Sequence, residues 1–347
     1  LADIQNLKKV IYAAAACLAA AALIWLVVFD VLKTRETVSN TSFAMGTTVI
    51  QSLRGPGSSA TAGVIVDKIG SLEEKSLSWR QAGSDIYRIN ANAGSSVRTG
   101  ADTAEWVRQC LKISAAGAGA FDITVGSLSA FWDIGGENPR VPAKEKIAEL
   151  LKTIDRNTVK TNGDTVKIAA GQRLDMGAVG KGIACDEARK ILEKSRVKTG
   201  TVSVGGSVLV YGYKKGCKVG IRDPKGTAND YMGILNLGSC CVSTSGNYEK
   251  TFTFKGKTYH HILDPKTGYP ADSGLTSVTV VCDSGLASDA LSTACFVLGY
   301  ENSLPLLEQY SAGAVFIGRD GTVKVTADLE DRFSLNDSAG YVLEPRV

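Results

Sequence analysis

From Val10 to Phe29 the chain reads VIYAAAACLAAAALIWLVVF, twenty residues without a charge. A helix needs roughly 20 mainly apolar residues to cross a bilayer core. Tyr12 and Trp25 stand near the ends of the run, as interfacial aromatics do, and Lys8, Lys9, Lys33 and Arg35 bracket it. A cleaved signal peptide has a shorter apolar region, about 7–15 residues. Ala14-Ala15-Ala16-Cys17 is a poor lipobox, and cleavage there would leave an apolar tail. The expectation is an uncleaved, single-pass anchor in the cell membrane (1–30), a short polar tether (31–41) and one compact unit (42–347). Two basic residues on each side leave the orientation undecided by charge.

The remaining composition narrows the function. With 39 Lys+Arg against 35 Asp+Glu, the formal charge is only +4 and is spread along the chain. Nucleic-acid binding normally shows as a concentrated basic face, so it is not expected. A hydrophobic content of 44% with 21% charged residues excludes wholesale disorder. The eight cysteines have no metal-ligand spacing, and several lie in apolar runs such as TACFVLG; buried free thiols are expected.

Helical patterns cover Ala62–Ser76, Ala101–Ala118, Ala143–Thr153, Gly182–Ser195, Leu286–Leu298 and Glu301–Tyr310. Strand patterns cover Thr47–Leu53, Thr201–Val204, Val208–Tyr213, Lys218–Arg222, Met232–Leu237, Lys250–Phe254, Thr258–Leu263 and Ser277–Cys282, with a short hairpin around Asn162-Gly163-Asp164. Short links between consecutive strands and no regular βαβ alternation point to an α+β fold with antiparallel sheets packed against helices.

Three segments carry candidate chemistry. The run LDMGAVGKG (174–182) opens a helix pattern with three glycines, and helix N-termini favour anions. Its G-x-x-G-x-G order is neither the dinucleotide fingerprint nor a Walker loop, so a tight structural turn and a phosphate cradle stay equally open. Asp289, Ser292 and Thr293 lie three and four residues apart and share a helix face. One carboxylate plus hydroxyls suits Mg²⁺; helix capping and back-bonded hydroxyls are the structural alternative. In YHHILDPKTGYP (259–270), the only two histidines, His260 and His261, end a strand and face opposite sides before an Asp-Pro-x-x-Gly turn. Upstream, STSGNY (243–248) supplies hydroxyls and a glycine turn, compatible with anion binding or an ordinary loop.

Taken in order, FAMGTT (43–48), SLSWRQAGSDIYRIN (76–90), GAFDITVGSLSAFW (119–132), LDMGAVGKGIACD (174–186), SVGGS (203–207), VGIRDP (219–224), STSGNYEK (243–250), YHHILDPKTGYPA (259–271) and ASDALSTACFVLG (287–299) resemble the ApbE family, the FAD:protein FMN transferases. The resemblance implies a T-fold-like α+β domain that binds FAD and Mg²⁺. It implies attachment of FMN by a phosphoester to a Thr or Ser of a partner protein, with release of AMP. The implied partners are flavoprotein subunits of Rnf-type or sodium-pumping NADH:quinone reductase complexes. It implies that the catalytic domain lies on the extracytoplasmic side. It places FAD contacts at Met45, Trp79, Ala120, Phe121, Asp122, Asp175, Lys181 and the backbone of Leu263. It places Mg²⁺ on the carbonyl of Ala178, on Asp289 and on Thr293, with Ser292 nearby, and makes His261 the general base. An FAD pyrophosphatase yielding FMN and AMP, or a non-catalytic flavin-binding subunit of a membrane redox complex, are the alternatives.

Overall fold

The structure, a computed structural model, describes residues 2–35, 37–227 and 229–344, without the side chains of 2–7, 10 and 26–35. The helices are α1 (Ala2–Arg35), α2 (Ser58–Leu72), α3 (Asp85–Ala91), α4 (Ala101–Ala116), α5 (Gly126–Trp132), α6 (Lys144–Leu151), α7 (Gly180–Glu193), α8 (Gly285–Leu298) and α9 (Tyr300–Gln309). The first eight strands are β1 (Thr37–Ala44), β2 (Thr47–Arg54), β3 (Ser96–Arg98), β4 (Lys160–Asn162), β5 (Thr165–Lys167), β6 (Thr199–Val204), β7 (Ser207–Tyr211) and β8 (Cys217–Arg222). Then follow β9 (Tyr231–Leu237), β10 (Cys240–Gly246), β11 (Thr251–Phe254), β12 (Lys257–His260), β13 (Leu275–Cys282), β14 (Gly313–Gly318), β15 (Thr322–Val325), β16 (Phe333–Leu335) and β17 (Val342–Leu343).

Nine strands form one sheet in the order β1-β2-β6-β7-β10-β13-β14-β15-β17. Strand order in space follows order in the chain, so each helix is an excursion that returns beside the strand it left. The central strands β13 and β14 are buried along almost their whole length, because both faces of the sheet are covered. Helices α2, α4, α7 and α8 pack one face around Ile65, Val107, Ile183 and Leu291. The three-stranded sheet β16-β9-β8 covers the other around Met232, Leu235, Val315 and Ile317. A satellite core of Trp132, Leu128, Ile147 and Leu263 holds α5 and α6 against the β11–β12 hairpin.

Two local features position the site. β1 and β2 pair in register from Thr37↔Arg54 to Ala44↔Thr47. That leaves Met45 and Gly46 as a two-residue turn with φ of 53° and 67°. This is the hairpin geometry that matches strand twist, and it holds Met45 in a conformation side chains rarely adopt. Second, α7 and α8 cross glycine on glycine. A Cβ added at Gly182 would lie 2.0 Å from the Gly285 carbonyl oxygen, and one at Gly285 would lie 2.2 Å from that of Gly182. Asp186 on α7 then accepts hydrogen bonds from the Gly285 and Leu286 N–H groups (2.7 and 2.9 Å), satisfying the start of α8. Gly182→Ala should therefore cost about 3 kcal/mol or more, since backbone rather than a yielding side chain blocks the methyl. Urea unfolding checks this; an unchanged midpoint would mean that the helices separate freely.

Two expectations are corrected. Among the described residues no helix is long and apolar enough to cross a membrane. α1 has 34 residues, of which the side chains at 8, 9 and 11–25 are described. The side chains at 10 and 26–29, which completed the expected span, lie outside the described residues. The transmembrane helix is withdrawn, and with it the single-pass cell-membrane attachment and the extracytoplasmic placement of a membrane-anchored enzyme. The nine-stranded sheet is also mixed rather than purely antiparallel: β17 returns through β16 of another sheet and pairs parallel to β15. The stretch expected as a tether (31–41) runs from the end of α1 into β1, with residue 36 outside the described residues.

Candidate active site

Asp289 lies on the buried face of α8, and only 3% of it is exposed. The glycine crossing brings it to the first turn of α7, where its Oδ2 accepts the Gly182 N–H at 2.9 Å. Burial pushes its carboxyl above the usual range, while the Lys181 charge and the Gly182 N–H pull it back. The Ser207 hydroxyl and the Lys181 N–H add to these donors, yet a desolvated carboxylate remains costly to the resting fold. Lys181 extends across the β6–β7 turn, its Cδ 3.4 Å from where a Cβ on Gly205 would stand.

Around Asp289 runs a ladder of hydroxyls. Ser243 Oγ reaches Ser207 Oγ at 3.0 Å and Ser288 Oγ at 2.8 Å. Ser245 Oγ lies 2.8 Å from Ser292 Oγ and 3.2 Å from Thr293 Oγ1. Ser292 also donates to the Asp289 carbonyl at 2.8 Å, so its hydroxyl is occupied twice. Thr293 is the more open of the pair and has only the longer contact to Ser245. Ser292 and Thr293 meet Ser245 of β10, whereas the Asp289 carboxylate meets the first turn of α7 and Ser207 of β7.

The two histidines differ in surroundings. His260 ends β12; its Nε2 pairs with the Ala271 carbonyl at 3.0 Å and its ring meets Phe296 edge-on at 5.6 Å. His261 donates its backbone N–H to the Lys250 carbonyl at 3.1 Å, and its Nδ1 is buried without a partner. Burial, reinforced by the Lys250, Lys181 and His260 charges, pushes the His261 imidazole down to about 3. It is neutral at physiological pH. Because its folded pKa lies below the 6.5 of the free side chain, the unfolded chain takes the proton first. Stability is therefore full above about pH 6.5 and falls as pH drops toward 3. Urea midpoints at pH 7.5 and pH 5 should show this fall, and His261→Gln should reduce it; an equal slope in the variant would exclude His261 as its source.

The remaining expected contacts surround this centre. Met45 donates its N–H to Glu73 Oε2 at 2.8 Å, and its Cε lies 3.0 Å from where a Cβ on Gly180 would stand. The Trp79 ring carries the Arg80 guanidinium at 3.8 Å and that of Arg173 at 5.1 Å. Asp175 ties the start of the glycine run down: its N–H reaches the Ile123 carbonyl at 2.8 Å and its Oδ1 accepts the Gly177 N–H at 2.8 Å. Ala178 follows, partly buried against the core just before α7. Ala120 and Phe121 are each 2% exposed and packed in the main core, so they offer a ligand backbone rather than side chain. Asp122 is buried and accepts from the Thr124 N–H and hydroxyl at 2.8 and 2.7 Å. Burial raises its carboxyl. Leu263 bridges to Pro270 in a turn anchored by the Trp132 indole, which donates to the Gly268 carbonyl at 2.9 Å.

Sequence reading missed Lys250, Arg80 and Arg173. The Lys250 stem crosses Gly135, and a Cβ there would lie 2.9 Å from its Cδ. Although the residue as a whole is exposed, partial burial of its ammonium, with the Lys181 and Arg80 charges, lowers its pKa. Lys250, Lys181 and Arg80 lie close enough to act on one another, a cationic grouping that suits a polyanion. No spacing in the sequence announces them, since they come from different loops. The donor set fits a hard cation in part. It consists of one carboxylate, hydroxyls and carbonyls, and no group of three or more His, Cys, Asp or Glu occurs among the described residues. Such a cation would need most of its ligands from phosphate oxygens and water, as Mg²⁺ takes them.

A helix start opened by glycines, Lys181 beside a buried carboxylate and a neutral histidine have the chemistry that suits a phosphate-bearing substrate. The ApbE family model matches residues 45–317. A FAD:protein FMN transferase of Treponema pallidum (strain Nichols) is 34% identical over 293 residues, 78% of this chain and 81% of that protein. One of Klebsiella pneumoniae (strain 342) is 32% identical over 276 residues, 78% and 86% of the two chains. Among solved structures, the apbe protein of Thermotoga maritima superposes with a TM-score of 0.78 at 31% identity, covering 84% of this chain and 98% of that one. The flavinyl transferase ApbE of Pseudomonas stutzeri, in its apo form, gives 0.76 at 30% identity, covering 87% and 98%. The chain belongs to the ApbE family and is an enzyme of that FAD:protein FMN transferase family.

Proposed function

We propose that this chain transfers FMN from FAD to a Thr or Ser hydroxyl of a partner flavoprotein. The observation that carries the proposal is Asp289: a nearly inaccessible carboxylate held at the start of α7 beside Lys181, whose charge also acts on a neutral His261. Burying a carboxylate costs the fold even when it is hydrogen-bonded, and such groups cluster at functional sites.

The FAD diphosphate lies over the N-terminal turn of α7, where the backbone N–H groups and Lys181 and Lys250 favour its charge. Met45, Trp79, the backbone of 120–122, Asp175 and the backbone of Leu263 orient the rest of the nucleotide. Asp289, Thr293 and the Ala178 carbonyl would hold Mg²⁺, with Ser292 bracing Thr293's neighbour Ser245. When bound, Mg²⁺ neutralises charge on the diphosphate oxygens. The acceptor oxygen attacks the FMN phosphorus, its proton passes to His261, and the bond to AMP breaks. The diphosphate charge offsets the lysines that depress His261, so the imidazole becomes a better base once FAD is bound. The acceptors are flavoprotein subunits, with those of Rnf-type and sodium-pumping NADH:quinone reductase complexes as the first to try.

The test is to incubate the chain with FAD, Mg²⁺ and such a subunit, then measure the subunit's mass and in-gel flavin fluorescence. Gain of one FMN, lost with EDTA, is the expected result. Free FMN and AMP without labelling would make the chain a pyrophosphatase, and intact FAD would make it a flavin-binding subunit.

A further inference from the structure

Of the cysteines, all free in the structure, Cys241 and Cys282 are set apart by register. β10 and β13 run antiparallel and place these two directly opposite each other, as the outermost rung of the ladder. Opposed residues share a face, and both side chains enter the same core cluster. Opposed Cα atoms in such a pair stand about 4.5–5.5 Å apart, inside the roughly 4.4–6.8 Å that a disulfide spans. Cys240 and Cys217 face Val210 and Leu237 instead, and Cys110, Cys185 and Cys295 lie on helices. The Arg189 guanidinium donates to Cys241 Sγ at 3.1 Å, a cation placed where it favours thiolate. The outermost rung of a ladder also opens first, and Cys282 retains 8% exposure there.

We propose that Cys241 and Cys282 form a dithiol–disulfide pair, closed by exchange with a small-molecule disulfide. One thiol loses its proton and attacks a sulfur of the oxidant, expelling a thiolate. The second thiol, deprotonated in turn, attacks the protein sulfur of the mixed disulfide and expels the other thiolate. Two protein thiols are oxidised, one disulfide is reduced to two thiols, and the two protons end on the expelled thiolates. Burial keeps both cysteines protonated in the closed fold, with Cys282 pushed up to about 12, so exchange runs when the rung opens or as it assembles. The closed loop contains Ser243, Ser245, Lys250 and His261, so the bond would tie together both ends of the segment that carries the proposed base.

The full chain is incubated in oxidised glutathione, both folded and during refolding from urea, then alkylated, digested and mapped by mass. The expected product is a peptide linking 241 to 282, retained in Cys240→Ser and Cys295→Ser and lost in Cys241→Ser and Cys282→Ser. The oxidised chain should melt higher than the reduced one, on the order of 5–10 °C, and Cys282→Ser should remove the difference. Recovery of both residues alkylated or glutathionylated under both conditions, or a link to Cys185, would overturn the proposal.

Discussion

Asp289→Asn is expected to abolish FMN transfer while leaving the fold intact. Asparagine keeps the shape and can still accept the Gly182 N–H, giving up only part of what the carboxylate receives from Lys181 and Ser207. It removes a charge that burial already penalises, so in metal-free buffer the variant should melt no lower than the parent. What disappears is the anionic ligand. Losing several kcal/mol of charge stabilisation predicts a drop of about 10³-fold or more in labelling rate. Stability at a functional site normally trades against activity in this direction. A variant that melts lower and still labels at the parent rate would reduce Asp289 to a structural residue.

His261→Ala should lower the transfer rate by about 10²–10⁴-fold, the range for losing a general base, with KM for FAD little changed. His260→Ala should cost less than about tenfold in rate but lower the melting temperature, because it gives up the Ala271 carbonyl bond and the Phe296 contact. Rates must be compared where both variants are folded. The basicity argument adds a pH signature: the acid limb of kcat should lie above that of kcat/KM, since bound diphosphate offsets the lysines beside His261. Similar rates in the two alanine variants would remove His261 from the chemistry.

Much of this was legible in the sequence, for identifiable physical reasons. The 3.6-residue pattern found α7 and α8, and the same period put Asp289, Ser292 and Thr293 on one face, where they lie. β10 carries no strand signal in the sequence, because CCVSTSG looks polar. It is buried almost throughout, because Ser243 and Ser245 pair with hydroxyls of β7 and α8 that no local pattern reveals. The expected tether (31–41) overlaps the first half of β1 for a similar reason: TVSNTSFA alternates only weakly, and its pairing with β2 makes it a strand. The short α3 and α5 escaped because seven residues carry too few turns for a period. Lys250 and Arg80 belong to the site through the folding of separate loops, which spacing along the chain does not encode. Hydropathy over Val10–Phe29 suggested a span that the described part of α1 does not provide.

The most direct test is a crystal of the full chain grown with FAD and Mn²⁺ in place of Mg²⁺, with anomalous scattering locating the cation. The peak is expected at the Asp289 carboxylate and the Thr293 hydroxyl, touching a diphosphate that lies across the first turn of α7. FAD bound in order with the peak absent, or coordinated away from Asp289, would contradict it.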